Sequence, residues 1–237
     1  MRDLARWKEK DLRNRLEQAI NKLRRKGIFL EGLSRELYPA ISVLAKVLED
    51  REKVEIPGHD IEHSFRVLEF ALFIASKEGG NPLVLALAAL FHDIFRAEEE
   101  LKSDIDHEIM AAELVSRELS GLYSSEILEN VVKCIKEHRY SKFAKPSTKE
   151  SQIFQDADKL DALGAIGIAR VFAYSGYKNR YLYDPLNLNA QDSIAHFREK
   201  ILKLPYLMNT KAGMEIAYRR VSIIRKFLKE LVREIEF

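Results

Sequence analysis

The chain has 237 residues, 46% hydrophobic and 32% charged, enough for one large domain with a sizeable core. Lys and Arg number 39 against 37 Asp and Glu, a net charge of +2 that carries no nucleic-acid or membrane signal. The single cysteine, Cys134, excludes an intrachain disulfide and a cysteine-rich zinc module, and reads as a small apolar core residue.

Arg2 to Lys26 is densely charged, with Leu4, Leu12, Leu16, Ile20 and Leu23 near helical spacing, so an amphipathic helix is expected to end around Gly27. Its basic residues Arg13, Arg24, Arg25 and Lys26 read first as a solvated face and second as a contact for an anionic partner. A second helix is expected over 33–49, followed by a break at Ile56-Pro57-Gly58. Residues 59–76 form a third, apolar on most sides and therefore buried. Asn81-Pro82 starts a fourth, running to Phe95, apolar almost throughout yet too short to span a bilayer. The acidic run Glu98-Glu99-Glu100 reads as a loop before a fifth helix over 103–119, with Ser103 and Asp106 as a capping box. A sixth helix covers 125–138.

Residues 156–170 read as one central helix, opening on Asp156, Asp158, Lys159 and Asp161 and rich in small residues that let neighbours approach. Acids at its start either complement the helix dipole or mark a bound cation. Residues 171–189 read as a long irregular loop, whose Tyr174, Tyr177, Tyr181 and Tyr183 offer rings for a base or for ordinary loop packing. Helices over 193–204 and 210–237 close the chain. No strand alternation occurs anywhere, so the fold class is all-α. With no apolar run of spanning length and no signal-peptide pattern, the expected compartment is the cytoplasm.

Five of the six histidines lie between His59 and His138. His63, the adjacent pair His92-Asp93, and Asp158 sit at or near ends of expected helices. Neighbouring side chains diverge by about 100° in a helix, so His92 and Asp93 can share a metal only where the helix end lets them converge. Mixed nitrogen and oxygen donors suit manganese, iron, cobalt, nickel or zinc better than magnesium. His196 lies outside the cluster and reads as structural or surface.

This constellation resembles the HD superfamily of metal-dependent phosphohydrolases, named for the pair matched by His92-Asp93. Two longer segments carry the resemblance to one subgroup: His59-Asp60-Ile61-Glu62-His63, and Asp156 to Arg170 beginning Asp-Ala-Asp-Lys-Leu-Asp-Ala. Tyr183-Asp184-Pro185, His196-Phe197 and Met208-Asn209-Thr210 are also similar. The resemblance covers about residues 35–237. It implies a single helical HD domain over 34–237, with residues 1–33 as an N-terminal helical extension. It implies a divalent metal, manganese first, held by His63, His92, Asp93 and Asp158. Asp60, Glu62 and Asp161 are then expected to assist catalysis by orienting ligands or water. His59, Arg66, Arg96, His107, His138 and Lys159 are expected to face the substrate. The subgroup implies hydrolysis of nucleoside triphosphates to monophosphate and pyrophosphate. A 5′-nucleotidase, a phosphodiesterase and a non-catalytic metal or nucleotide sensor are the rival readings. Arg96-Ala97 stands where hydrolases of (p)ppGpp carry two acids, which argues against that substrate. His107 and His138 fit one tightly held metal with both rings beside it, rather than a second ion. A small phosphate-bearing partner is expected, with no membrane and no clear nucleic-acid partner; a homo-oligomer is compatible.

Overall fold

The computed structural model describes residues 7–50, 56–102, 104–139, 144–184 and 192–235. Among these the chain is helical and contains no strand. The α-helices are α1 (Glu9–Arg24), α2 (Leu33–Asp50), α3 (Ile61–Glu78), α4 (Pro82–Phe91), α5 (Arg96–Leu101), α6 (His107–Glu118), α7 (Ser125–Glu137), α8 (Lys149–Asp161), α9 (Gly164–Tyr177), α10 (Ser193–Glu199) and α11 (Lys211–Ile235). A 3-10 helix, Ile201–Leu207, joins α10 to α11.

The centre is α3, α4 and α8 packed on one another. α4 has eight consecutive buried residues from Val84 to Phe91, so α2, α3, α7 and α8 all cover it. Its start follows from Asn81, whose side chain accepts from the backbone N–H groups of Leu83 and Val84, with Pro82 at the first helical position. α1 places Leu12, Leu16, Ala19, Ile20 and Leu23 in the same buried cluster as α2 and α3. Arg15 of α1 also reaches Glu62 (2.9 Å) and Glu69 (3.3 Å) on α3.

Several expectations are corrected. The stretch 156–170 is two helices. α8 begins earlier, at Lys149, because the Thr148 side chain caps it by accepting from Ser151 N–H at 3.0 Å. It stops at Asp161, and Leu163 is extended. The break depends on two glycines. Gly164 has φ +75°, a left-handed conformation costly for any residue with a Cβ. At Gly167 a Cβ would stand 2.1 Å from the Ala162 carbonyl oxygen. Asp156, Asp158 and Asp161 therefore occupy the last turns of α8, where the helix dipole disfavours negative charge. Complementing an N-terminal dipole is excluded as their reason: Asp156 is held by the backbone N–H groups of Asn209 and Thr210, Asp161 by Arg66 and Arg170, and Asp158 faces the histidines.

The residues read as an acidic loop fold as α5, and α9 continues to Tyr177, taking the first seven residues of the expected loop. α6 starts at His107 rather than 103; Asp106 precedes it without a side-chain cap bond, and Ser103 lies outside the described residues. Pro185 and residues 186–191 also lie outside them. No helix among the described residues is long and apolar enough to cross a membrane.

Candidate functional site

Four histidines and two aspartates converge where α3, α4, α6, α7 and α8 meet. His63 is in the first turn of α3, which is capped by Asp60 accepting from the His63 N–H at 3.0 Å. His92 caps the C-terminus of α4, and Asp93 lies one residue beyond, in a turn. Leaving the helix there lets the two adjacent side chains turn toward one centre. His107 opens α6, His138 ends α7, and Asp158 comes from the last turn of α8.

Each ring is oriented through Nδ1. His63 Nδ1–H donates to Asp161 (2.7 Å), His92 to the Ala89 carbonyl (3.0 Å), His138 to the Ile135 carbonyl (2.7 Å), and His107 to Glu99 (2.9 Å). With the proton on Nδ1, a neutral ring presents a lone pair at Nε2. The Nε2 atoms point inward. His63 Nε2 lies 3.3 Å from His92 Nε2, 3.4 Å from Asp158 and 3.5 Å from Asp93 Oδ2. Asp93 turns its other oxygen toward His107 (3.2 Å) and His138 (3.9 Å).

Two facing lone pairs at this distance repel unless a proton or a metal cation stands between them. His107 Nε2 is buried, and its 3.2 Å approach to Asp93 Oδ1 is not aligned as a hydrogen bond. The electrostatics agree. Burial and Arg170 oppose charge on His63, yet hydrogen bonds to Asp158, Asp161 and Asp93 raise its pKa to about 10. Burial works against ionising Asp93 and Asp158 as well, but the surrounding histidines hold both carboxyls below the usual range. The site is built to enclose positive charge. His63, His92 and Asp158 form one three-donor group able to hold a divalent metal, with Asp93 Oδ2 3.5 Å from His63 Nε2; Asp93, His107 and His138 form a second three-donor group, and Asp93 groups with His59 and His63 as well.

Asp161 is fully buried and is the orienting carboxylate of His63. It also accepts a two-pronged bond from Arg66 (2.7 and 3.0 Å) and one from Arg170 (2.7 Å). His59 donates its Nδ1–H to Asp93 at 2.7 Å and lines the adjacent cleft.

That cleft encloses about 360 Å³ and is bounded by α9, α10 and the 3-10 helix beside Asp158. Arg96, Arg170, Arg180, Lys200, His196 and Tyr174 line it. His196, read as structural or surface, lies outside the donor groups and forms part of the cleft wall. Tyr174 directs its hydroxyl to Glu100 (3.1 Å), while Tyr181 is largely exposed.

Other residues fall elsewhere. Glu62 faces α1 and pairs with Arg15, away from the ligands. Asp60 acts on the backbone as a cap. Arg66 is committed to Asp161 and does not line the cleft. Lys159 borders the cleft, but its ammonium turns inward to Gln155 (2.7 Å) and the Leu207 carbonyl (2.6 Å), tying α8 to the 3-10 helix. Sequence reasoning missed Arg180 and Lys200, which look like ordinary surface cations. It also missed Glu99 and Arg139; Arg139 donates to Glu99 at 2.7 Å, and Glu99 in turn holds His107. Arg170 closes the long shared segment, yet nothing in spacing assigned it to Asp161.

Comparison with known proteins bears on this centre directly. The HD domain profile matches residues 60–163, which include the ligand cluster from α3 to α8. An uncharacterized Bacillus subtilis protein, YpgQ, is 32% identical over 185 residues, covering 76% of this chain and 86% of that one. The crystal structure of YpgQ in complex with ADP superposes with TM-score 0.66, at 29% identity, over 83% of this chain and 97% of that one. An HD-superfamily hydrolase from Bacillus thuringiensis gives TM-score 0.67 at 33% identity, over 87% and 97%. With that identity and coverage, and with the histidine–aspartate pair at the centre of its buried donors, the chain belongs to the HD superfamily of metal-dependent phosphohydrolases.

Proposed function

We propose that this hydrolase converts nucleoside triphosphates to monophosphate and pyrophosphate, with manganese as its preferred ion. The observation that carries the reading is a buried His/Asp donor group opening into a cleft lined by four cations: Arg180 and Lys200, with Arg96 and Arg170, which also pair with Glu99 and Glu100 and with Asp161 behind the wall. A polyphosphate fits such walls, since guanidinium groups bind phosphate oxygens in two-pronged fashion. Bacillus subtilis YpgQ, crystallised with ADP, supports a nucleotide as the class.

His63, His92, Asp93 and Asp158 would hold one ion tightly, with His107 and His138 beside it; because Asp93, His107 and His138 also form a donor group, a second ion there is the alternative that metal counting decides. A bound divalent ion supplies Lewis-acid chemistry, acidifying water and offsetting charge on phosphoryl oxygens. The chain's own residues do the positioning. Asp161, held by Arg66 and Arg170, keeps the His63 lone pair aimed inward. Glu99, held by Arg139, does the same for His107. Arg180 and Lys200 would take the leaving pyrophosphate. Water adds to the α-phosphorus, the bond from that phosphorus to the α–β bridging oxygen breaks, and pyrophosphate departs.

The test is a panel of nucleoside tri-, di- and monophosphates with manganese, measuring pyrophosphate and phosphate separately. Pyrophosphate matched by monophosphate is expected from triphosphates. Phosphate released only from monophosphates would replace this reading with a 5′-nucleotidase. Nucleotide binding without turnover by the metal-loaded protein would replace it with a sensor.

A further inference from the structure

A second cleft lies on the other face of the α8–α9 junction, between α1, α3 and α11. It encloses about 760 Å³, within the usual range for a small-ligand pocket. Its charges are lopsided: Lys22, Lys26, Arg66, Arg219 and Arg220 against Glu69 alone. Glu69 is already engaged by Arg15 and Lys22, so it does not neutralise the remaining cations. Burial depresses the Arg220 pKa, Asp161 opposes this, and Arg66 and Arg219 lower it further; the three guanidinium groups crowd one another. Arg219 is exposed and has no hydrogen bond or ion pair from its side chain among the described residues.

The floor is apolar and partly aromatic. Arg220 stacks over Phe70 at 4.7 Å, and Lys26 stands 5.6 Å over Phe73. Ile223 is 44% exposed at the edge. A cation already stacked on a ring presents its outer face to another flat group.

We propose that this groove is an anion site distinct from the hydrolytic cleft, and that it takes an organic phosphate with a flat body, a nucleoside phosphate by class. The phosphate lies on Arg219, Lys26 and the unoccupied edge of Arg66; the base lies over Arg220, Phe70 and Ile223. The groove shares a residue with the metal centre's support. Arg66 lines it and simultaneously holds Asp161, which orients His63. Arg220 donates to the Leu163 carbonyl at the α8–α9 break (3.0 Å). A ligand here therefore touches Arg66 and Arg220, which bond Asp161 at the end of α8 and Leu163 at the α8–α9 break.

The test uses manganese-loaded full-length protein and a non-hydrolysable ADP analogue in equilibrium dialysis at low ionic strength. Two classes of site for the analogue are expected in the wild type. Lys26→Glu with Arg219→Glu, both on exposed side chains, should weaken one class at least tenfold while leaving the far-ultraviolet spectrum and melting temperature unchanged. Lys200→Glu should weaken the other class alone. Inorganic phosphate should bind the groove at least tenfold more weakly than the analogue, since it gains nothing from the floor. A wild-type isotherm that the double variant leaves unchanged overturns the inference. So does equal affinity for phosphate and the analogue, which would mean a plain basic patch. One class abolished by Lys200→Glu alone removes the groove and leaves the hydrolytic reading standing. One class abolished by the double variant alone supports the groove and counts against nucleotide in the hydrolytic cleft.

Discussion

Replacing Asp161 with asparagine removes a buried charge and almost no volume. Three cationic or donating groups depend on that carboxylate: His63 at 2.7 Å, Arg66 at 2.7 and 3.0 Å, and Arg170 at 2.7 Å. Asparagine has one acceptor oxygen in place of two, and its amide donors would face guanidinium groups. Removing one partner of a buried ion pair costs roughly 3–5 kcal/mol. The Arg66 and Arg170 side chains retain 25% and 15% exposure and regain some hydration, so the lower end, about 3 kcal/mol, is expected. The second effect is on metal. Loss of the carboxylate that orients a ligand histidine typically costs about 10–100-fold in affinity, or roughly 1.4–2.8 kcal/mol. Urea denaturation of the metal-free protein reads the first quantity. Competition for manganese against a fluorescent chelator reads the second. Arg66→Ala is the control, because it keeps both the carboxylate and Arg170, and it should change manganese affinity by less than a few fold. Manganese affinity within threefold of wild type in Asp161→Asn, alongside the loss of stability, would refute the positioning role and leave Asp161 a purely structural ion pair.

Protein loaded with manganese and desalted should retain close to one ion per chain, and His92→Ala or Asp93→Ala should retain none while staying helical by circular dichroism; two tightly retained ions, falling to one in His107→Ala, would make the second donor group a full site. Gly167→Ala should destabilise by roughly 1–3 kcal/mol, because its Cβ meets a backbone oxygen that cannot rotate away, and urea midpoints would show no change if the α8–α9 junction opened freely. Burial, then Lys200 and Arg180, lowers the His196 pKa to about 4, against about 6.5 unfolded. The unfolded state thus binds the extra proton between these values, so stability from His196 is intact above about pH 6.5 and falls as pH drops toward 4. In His196→Gln the decline in urea midpoint from pH 7.5 to 5 should be shallower, and an identical slope would contradict the neutral, cleft-lining histidine.

Much of the architecture was legible because it rests on local patterns. The apolar run after Asn81-Pro82 could only be a buried helix, and the spacing of Leu12, Leu16, Ile20 and Leu23 made α1 amphipathic. The cluster of histidines and aspartates was legible for a different reason: buried at helix ends they are costly unless they serve a cation, so their joint presence pointed to a group able to hold a metal. What sequence could not decide was direction in space. Periodicity carried one helix through residues 156–170, whereas the left-handed Gly164 and the Gly167 contact with Ala162 split it and moved the aspartates from a helix start to a helix end. Glu62 and Arg66 sit within four residues of His63, yet one faces Arg15 of α1 and the other Asp161 of α8. Lys159 is adjacent to Asp158 but spends its ammonium on Gln155 and Leu207. Arg180, His196 and Lys200, far from the histidines in sequence, form the cleft wall. Neighbours along a helix point about 100° apart, so closeness in sequence assigns residue types to a region, and only the packing of α1, α8, α9 and α10 decides which of them meet.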